Sequence, residues 1–174
     1  MTFERRAVAR ELRAKGRRLE GYAATFGTEA RIANFVEVIA PGAFARSLKE
    51  RPDILALVDH DSGRVLARTK SGTLRLAEDS KGLAFDLDVP KTSAGNDVLA
   101  LAERNDLGGM SFAFTIPEGG EHWQGERREL RSVELHEISI VSAWPAYEGT
   151  LVQARKRIIL GPRAAVARRY LESL

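Results

Sequence analysis

The sequence predicts an α+β fold, a small mixed sheet or barrel joined by short helices, and three observations carry that reading. The apolar runs are mostly of strand length and several alternate with polar residues. They are separated by clusters of Gly, Pro, Asp and Ser that read as turns. Only two or three stretches keep the i, i+3, i+4 spacing of a helix. At 174 residues the chain has the length of one domain and can bury one sizeable core.

Each element follows in order. Two short runs between Glu11 and Phe26 flank Ala14-Lys15-Gly16-Arg17 and read as a β-hairpin. Ala40-Pro41-Gly42 opens AFARSLKE, where Phe44 and Leu48 share one helical face. Asp53 to Val58 is an apolar run of strand length that stops in the turn-like Asp59-His60-Asp61-Ser62-Gly63. Strands follow around Leu74–Leu76 and Leu83–Val89, joined by Glu78-Asp79-Ser80-Lys81-Gly82. Thr92 or Ser93 caps a helix that carries Val98, Leu101 and Ala102 on one face and ends by Gly108-Gly109. Met110 to Ile116 is a strand, Pro117 to Arg127 reads as a polar, Gly-rich mobile loop, and Val133 to Val141 is a further strand closed by Trp144-Pro145. The organisation expected is a domain over residues 1–154 and a basic linker with a short helix over 155–174.

Composition excludes several classes. There is no cysteine, so disulfides, thiolate nucleophiles, zinc ribbons and iron–sulfur clusters are out. No run reaches the roughly 20 apolar residues of a membrane helix. The basic amino-terminal stretch has no apolar core of a secretory signal, which makes the cytoplasm the expected compartment. The net charge is only +3, with the surplus gathered at the two ends and few aromatics between, so nucleic acid is not expected as the main partner. No Walker or dinucleotide-type glycine loop is present, and Asp59, His60, Asp61, His136 and Glu137 lack metal-ligand spacing. No cofactor and no metal are expected.

Three residues are left that can carry chemistry. His60 follows an apolar strand at the rim of the core, between two acids. Ser111 shares one strand face with Ala113 and Thr115, opposite the bulky Met110, Phe112 and Phe114. Glu137 shares a face with Ser139 and Val141 in an otherwise apolar strand, where an unpaired acid is costly to bury. A histidine donating its ring N–H would be a suitable partner, which is the logic of a nucleophile, a base and an orienting third group. Each also has a plain structural reading: Ser111 as a small strand residue, His60 as a solvated turn histidine, Glu137 as an edge-strand acid facing water. The G-x-S-x-G nucleophile elbow is absent.

Taken in chain order, five fragments carry a resemblance. They are Glu20-Gly21-Tyr22-Ala23-Ala24-Thr25-Phe26, Ile39-Ala40-Pro41-Gly42-Ala43-Phe44, Leu57-Val58-Asp59-His60-Asp61, Gly109-Met110-Ser111-Phe112-Ala113-Phe114, and Glu137-Ile138-Ser139-Ile140-Val141-Ser142 followed by Pro145-Ala146. This set, from about Leu12 to Leu151, resembles the prohead (capsid-maturation) serine proteases of HK97-type tailed phages. The resemblance implies a mainly antiparallel β-barrel surrounded by short helices, as in the herpesvirus assemblins, and a serine endopeptidase. It implies Ser111 as nucleophile, His60 as general base and Glu137 as the residue that orients His60, with His136 as the alternative third member and Asp59 or Asp61 less well placed.

The implied substrates are the scaffolding part of the major capsid protein and the protease itself, cut inside the assembling prohead in the host cytoplasm, and a homodimer is implied by analogy. The basic tail from Arg155 would be a packaging signal or a self-cleavage target. One departure stands out: the arginine pair of assemblins has no counterpart in Ala143-Trp144-Pro145-Ala146, so oxyanion donors would have to come from backbone N–H groups or an arginine elsewhere. The alternative from another class is a non-catalytic capsid assembly chaperone or scaffold on the same fold.

Overall fold

A computed structural model describes residues 3–9, 12–51 and 53–143. The tail and its expected short helix lie outside the described residues, as does the closing Trp144-Pro145. In chain order the strands are β1 (Glu4–Ala9), β2 (Leu12–Lys15), β3 (Arg18–Thr25), β4 (Ala30–Ile32), β5 (Phe35–Ile39), β6 (Leu55–Val58), β7 (Asp61–Arg68), β8 (Leu74–Glu78), β9 (Gly82–Asp88), β10 (Gly109–Thr115), β11 (Glu121–Gln124), β12 (Arg127–Leu130) and β13 (Glu134–Val141). Helix α1 (Ala45–Glu50) precedes β6 and α2 (Ser93–Glu103) precedes β10. The Thr92 hydroxyl caps α2 by accepting from the Gly95 N–H at 3.2 Å.

These strands form three sheets, ordered β1-β10-β13-β6-β7, β11-β12-β5-β4 and β2-β3-β9-β8. Pairing is mostly antiparallel, with parallel joins between β13 and β6 and between β12 and β5. The α+β class therefore holds, while no sheet closes on itself into a barrel among the described residues. The segment read as a mobile loop is instead the β11–β12 hairpin, whose second strand pairs with β5. The expected strand and helix positions elsewhere are occupied, and β1, β4, β5 and β7 come in addition.

The strand β10 sits between β1 and β13 and is buried along its whole length. Its Met110, Phe112 and Phe114 enter the core, where the Phe112 ring meets Phe44 edge-on at 5.5 Å and stacks on Phe114 at 5.3 Å. Ile138 and Ile140 of β13 and Ala56 and Val58 of β6 join that core, with Leu19 and Leu87 contributed by the β2-β3-β9-β8 sheet. Burying each of these side chains other than Ala56 stabilises the fold by about 1.5–3 kcal/mol, and together they fix the register of the strands that carry the site.

A charged network ties β1 to the second sheet. Arg6 pairs with Glu37 at 2.5 Å and with Glu4 at 2.6 Å, and Arg128 pairs with Glu4, Glu37 and Glu121. Burial works to raise the Glu4 carboxyl, but the hydrogen bond and charge of Arg128 and the charge of Arg6 outweigh it and leave it lowered. The Arg6 backbone is thereby anchored beside β10.

Candidate active site

The site is assembled by three strands of one sheet. The β6–β7 hairpin pairs Val58 with Asp61 and leaves Asp59 and His60 as its central residues. Both have positive φ, 52° and 60°, the arrangement of a type I′ turn, which Asp, Asn and His tolerate better than most residues. Several bonds hold this turn against β13. The Asp59 N–H donates to the Ile140 carbonyl at 2.9 Å. The Asp59 carboxylate accepts from the Ser142 N–H at 2.7 Å and from its hydroxyl at 2.8 Å. The strained backbone thus aims the His60 ring across β13 towards β10.

On β10, Ser111 faces Ser139 of β13 in the antiparallel register, and Ala113 faces Glu137. His60 bridges the two strands. Its Nε2 lies 2.8 Å from Ser111 Oγ and its Nδ1 lies 2.5 Å from Glu137 Oε1. A carboxylate can only accept, so Nδ1 carries a proton and, in the neutral ring, Nε2 is free to accept from the serine. Ser111 is 3% exposed and Glu137 7%, which places the chain of bonds at low dielectric, where each is stronger. The Ser111 hydroxyl also donates to the Arg6 carbonyl of β1 at 2.8 Å. One hydroxyl proton therefore has two acceptors within reach.

A hydroxyl and a carboxylate on buried strands, joined in this order through an imidazole on the adjoining turn, have the geometry of nucleophilic acyl transfer. The family described as caudovirus prohead serine protease matches residues 3–160 of the 174. The chain belongs to that family. Prohead serine proteases are serine peptidases of capsid maturation, so the chain is a peptidase of that general kind. No curated protein and no solved structure matches it.

The fold places the remaining candidates elsewhere. A β-bulge breaks the alternation of β13: Ala113 faces Glu137 but Phe114 faces Leu135, and His136 is the extra residue. The His136 ring contacts Arg51 at 2.6 Å through Nδ1 and Thr115 at 3.0 Å through Nε2, and lies over Phe3. Burial, with the Arg51 charge adding to it, lowers its pKa below the ordinary histidine value. It makes no described hydrogen bond to His60 or Ser111. Asp61 accepts from the Gly63 N–H at 2.8 Å and Asp59 from Ser142, while the imidazole's described partners are Glu137 and Ser111.

His122 is exposed on β11. At Gly108 the chain's own backbone packs close, since a Cβ there would lie 1.6 Å from the Ala143 carbonyl oxygen. Among the described residues no group of His, Asp and Glu is set to hold a metal ion, and no helix is long and apolar enough to cross a membrane.

Sequence reasoning passed over two contributors. The Arg6 carbonyl is a backbone group brought 105 residues along the chain to the serine, and nothing in its side chain announces that. Ser139 had a signal, since it lies two residues from Glu137 on the same strand, but a hydroxyl flanked by isoleucines reads equally as filler.

Proposed function

We propose that the chain is the capsid-maturation endopeptidase of a tailed phage or phage-derived particle, with Ser111 as nucleophile, His60 as general base and Glu137 as the group that orients His60. The observation that carries this reading is the unbroken chain from Ser111 Oγ through the His60 ring to Glu137, at 2.8 and 2.5 Å. Ser111 Oγ attacks the scissile carbonyl carbon while its proton passes to His60 Nε2. Glu137 beside Nδ1 stabilises the imidazolium that results. The C–N bond then breaks as Nε2–H protonates the leaving amine, which gives an ester on Ser111. Water, deprotonated by His60, attacks the ester, releases the acid and restores the hydroxyl. For the first step the Ser111 proton must turn from the Arg6 carbonyl to Nε2.

The substrates in this reading are the scaffolding part of the major capsid protein and the protease itself, within the assembling prohead, with residues 1–154 as the protease domain and the basic 155–174 as a packaging signal or a target of self-cleavage. An assemblin-like barrel and a homodimer belong to the same reading. Supporting it are the family membership and a histidine held at once to a serine and to a buried acid.

The test is labelling with a fluorophosphonate, read by intact mass and peptide mapping, beside co-expression with the capsid protein encoded nearby. One adduct on Ser111, lost in Ser111→Ala and His60→Ala, and capsid-protein cleavage that Ser111→Ala abolishes, are the expected results. An unlabelled Ser111 together with an uncut capsid protein would refute the reading and favour the non-catalytic chaperone.

A further inference from the structure

Ser139 is fully buried, at 0% exposure, in the middle of β13. Its register partners are Ser111 on the nucleophile's strand and Leu57 on the strand that leads into the His60 turn. A hydroxyl between Ile138 and Ile140 is costly to bury unless it is bonded. Both of its bonds end on the site: Oγ donates to Glu137 Oε2 at 2.6 Å and accepts from the His60 backbone N–H at 3.1 Å. A single atom therefore touches the acid's carboxylate and the base's main chain.

Each bond supplies something the site otherwise lacks. The terminal torsion of a glutamate is broad and roughly two-fold, so a carboxylate held only through Oε1 is free to rock against the imidazole. Holding Oε2 fixes its plane. On the other side, the β6–β7 ladder passes from Val58 to Asp61, so the His60 N–H falls outside that ladder. Ser139 satisfies it and fixes the left-handed turn that aims the ring.

We propose that Ser139 is a positioning residue for catalysis, locking Glu137 and His60 into one geometry through its hydroxyl. The proposal rests on the proteolytic reading of Ser111, His60 and Glu137. Ser139 touches no substrate and acts through the other two. Its removal affects the rate of proton transfer and leaves substrate binding alone.

The test compares wild type with Ser139→Ala and with the near-isosteric Ser139→Cys, a much weaker donor. Saturating inactivation by a fluorophosphonate gives kinact and KI separately, and the low-field proton NMR signal of His60 Nδ1–H reads the histidine–glutamate bond without any turnover. In Ser139→Ala, kinact is expected to fall about 10- to 100-fold, the weight of a hydrogen bond to a charged group, with KI within about two-fold of wild type. The Nδ1–H signal broadens through faster exchange, and Ser139→Cys falls between the two.

An unchanged kinact and an unchanged Nδ1–H signal in Ser139→Ala would overturn the proposal. So would a loss confined to KI and melting temperature with the signal intact, the mark of a packing role. Should Ser139→Ala fail to fold, Ser139→Cys with wild-type kinact and signal overturns it alone. Failure of wild type both to label on Ser111 and to cut the capsid protein would instead defeat the protease reading, while the NMR comparison still answers for Ser139.

Discussion

Replacing Glu137 by Gln keeps the shape of the side chain and removes its charge, and the geometry dictates how the amide must sit. The carboxylate uses Oε1 to accept from His60 Nδ1–H and Oε2 to accept from the Ser139 hydroxyl. The Ser139 oxygen already accepts from the His60 N–H and has its own proton to donate. A glutamine therefore satisfies Ser139 best by turning its carbonyl oxygen towards it, which points the amide NH2 at Nδ1. That forces Nδ1 to accept and puts the ring proton on Nε2, the tautomer that cannot take the serine proton.

Two losses add: the wrong tautomer and the missing negative charge beside the imidazolium. A carboxylate-to-amide change in this role costs on the order of 10⁴ in rate elsewhere, about 5.5 kcal/mol. The low exposure of Glu137, 7%, leaves little water to substitute for it, so a fall of about 10³- to 10⁴-fold in fluorophosphonate inactivation is expected. The assay is the rate of adduct formation on Ser111 by mass spectrometry, beside ¹⁵N NMR of the His60 ring to read the tautomer. A loss of less than about ten-fold with the Nδ1–H tautomer retained would refute the reasoning.

Four other outcomes follow. Glu137→Gln combined with Ser139→Ala should label faster than Glu137→Gln alone, since the amide is then free to turn its oxygen to Nδ1; an equal or slower rate counts against the tautomer account. His136→Gln should keep the labelling rate, because His136 bonds Arg51 and Thr115 and not His60. The lowered pKa of His136 means that its contribution to stability is full above its ordinary value of 6.5 and is lost as pH falls towards the lowered one. His136→Gln should flatten that part of the stability profile in denaturant titrations between neutral and mildly acidic pH. Glu4, also lowered, contributes fully above its ordinary value of 4.5 and loses that contribution as pH falls through the lowered one. Glu4→Gln should therefore cost stability at neutral pH, with the gap to wild type closing in acid.

The sequence made the site's side chains legible and left its supports hidden. Strand alternation alone puts Ser111 opposite the core residues Met110, Phe112 and Phe114, and it marks Glu137 as an acid that needs a partner. The turn at Asp59-His60 was readable as a turn, but the positive φ of both residues was not, since neither is a glycine. The strand β7 begins in Asp61-Ser62-Gly63-Arg64, exposed or half-buried residues that read as a continuation of the turn. Pairing with β6 makes it a strand. The β11–β12 hairpin hid for the same reason: its residues are polar because most are exposed. What stabilises it is a non-local pairing with β5 and the Arg128 pairs, together with the packing of Trp123 on Phe35 at 5.0 Å. Periodicity sees faces. It does not see which strands become neighbours, and so it could not place Arg6 beside Ser111 or foresee that a bulge sets His136 aside.

The parts of the site differ in how they are held, and the difference bears on what limits the reaction. Glu137 and Ser139 sit on a strand paired on both sides, by β10 and β6, so packing fixes their positions. His60 sits on a two-residue turn whose left-handed backbone is unfavourable by about 1–3 kcal/mol per residue. Most bonds that hold the turn there — Asp59 to Ile140 and Ser142, His60 to Ser139 — end on β13 or on the residue just after it. The proposed base is thus tied by hydrogen bonds to the strand that carries its proposed acid. The nucleophile is on the neighbouring strand and shares its proton with β1. The one relation that packing leaves adjustable is the direction of the Ser111 hydroxyl, between the Arg6 carbonyl and His60, both at 2.8 Å. In the proposed reaction the imidazole already lies beside the serine, and what Ser111 itself must do is turn its hydroxyl about the Cβ–Oγ bond, from the Arg6 carbonyl to His60 Nε2.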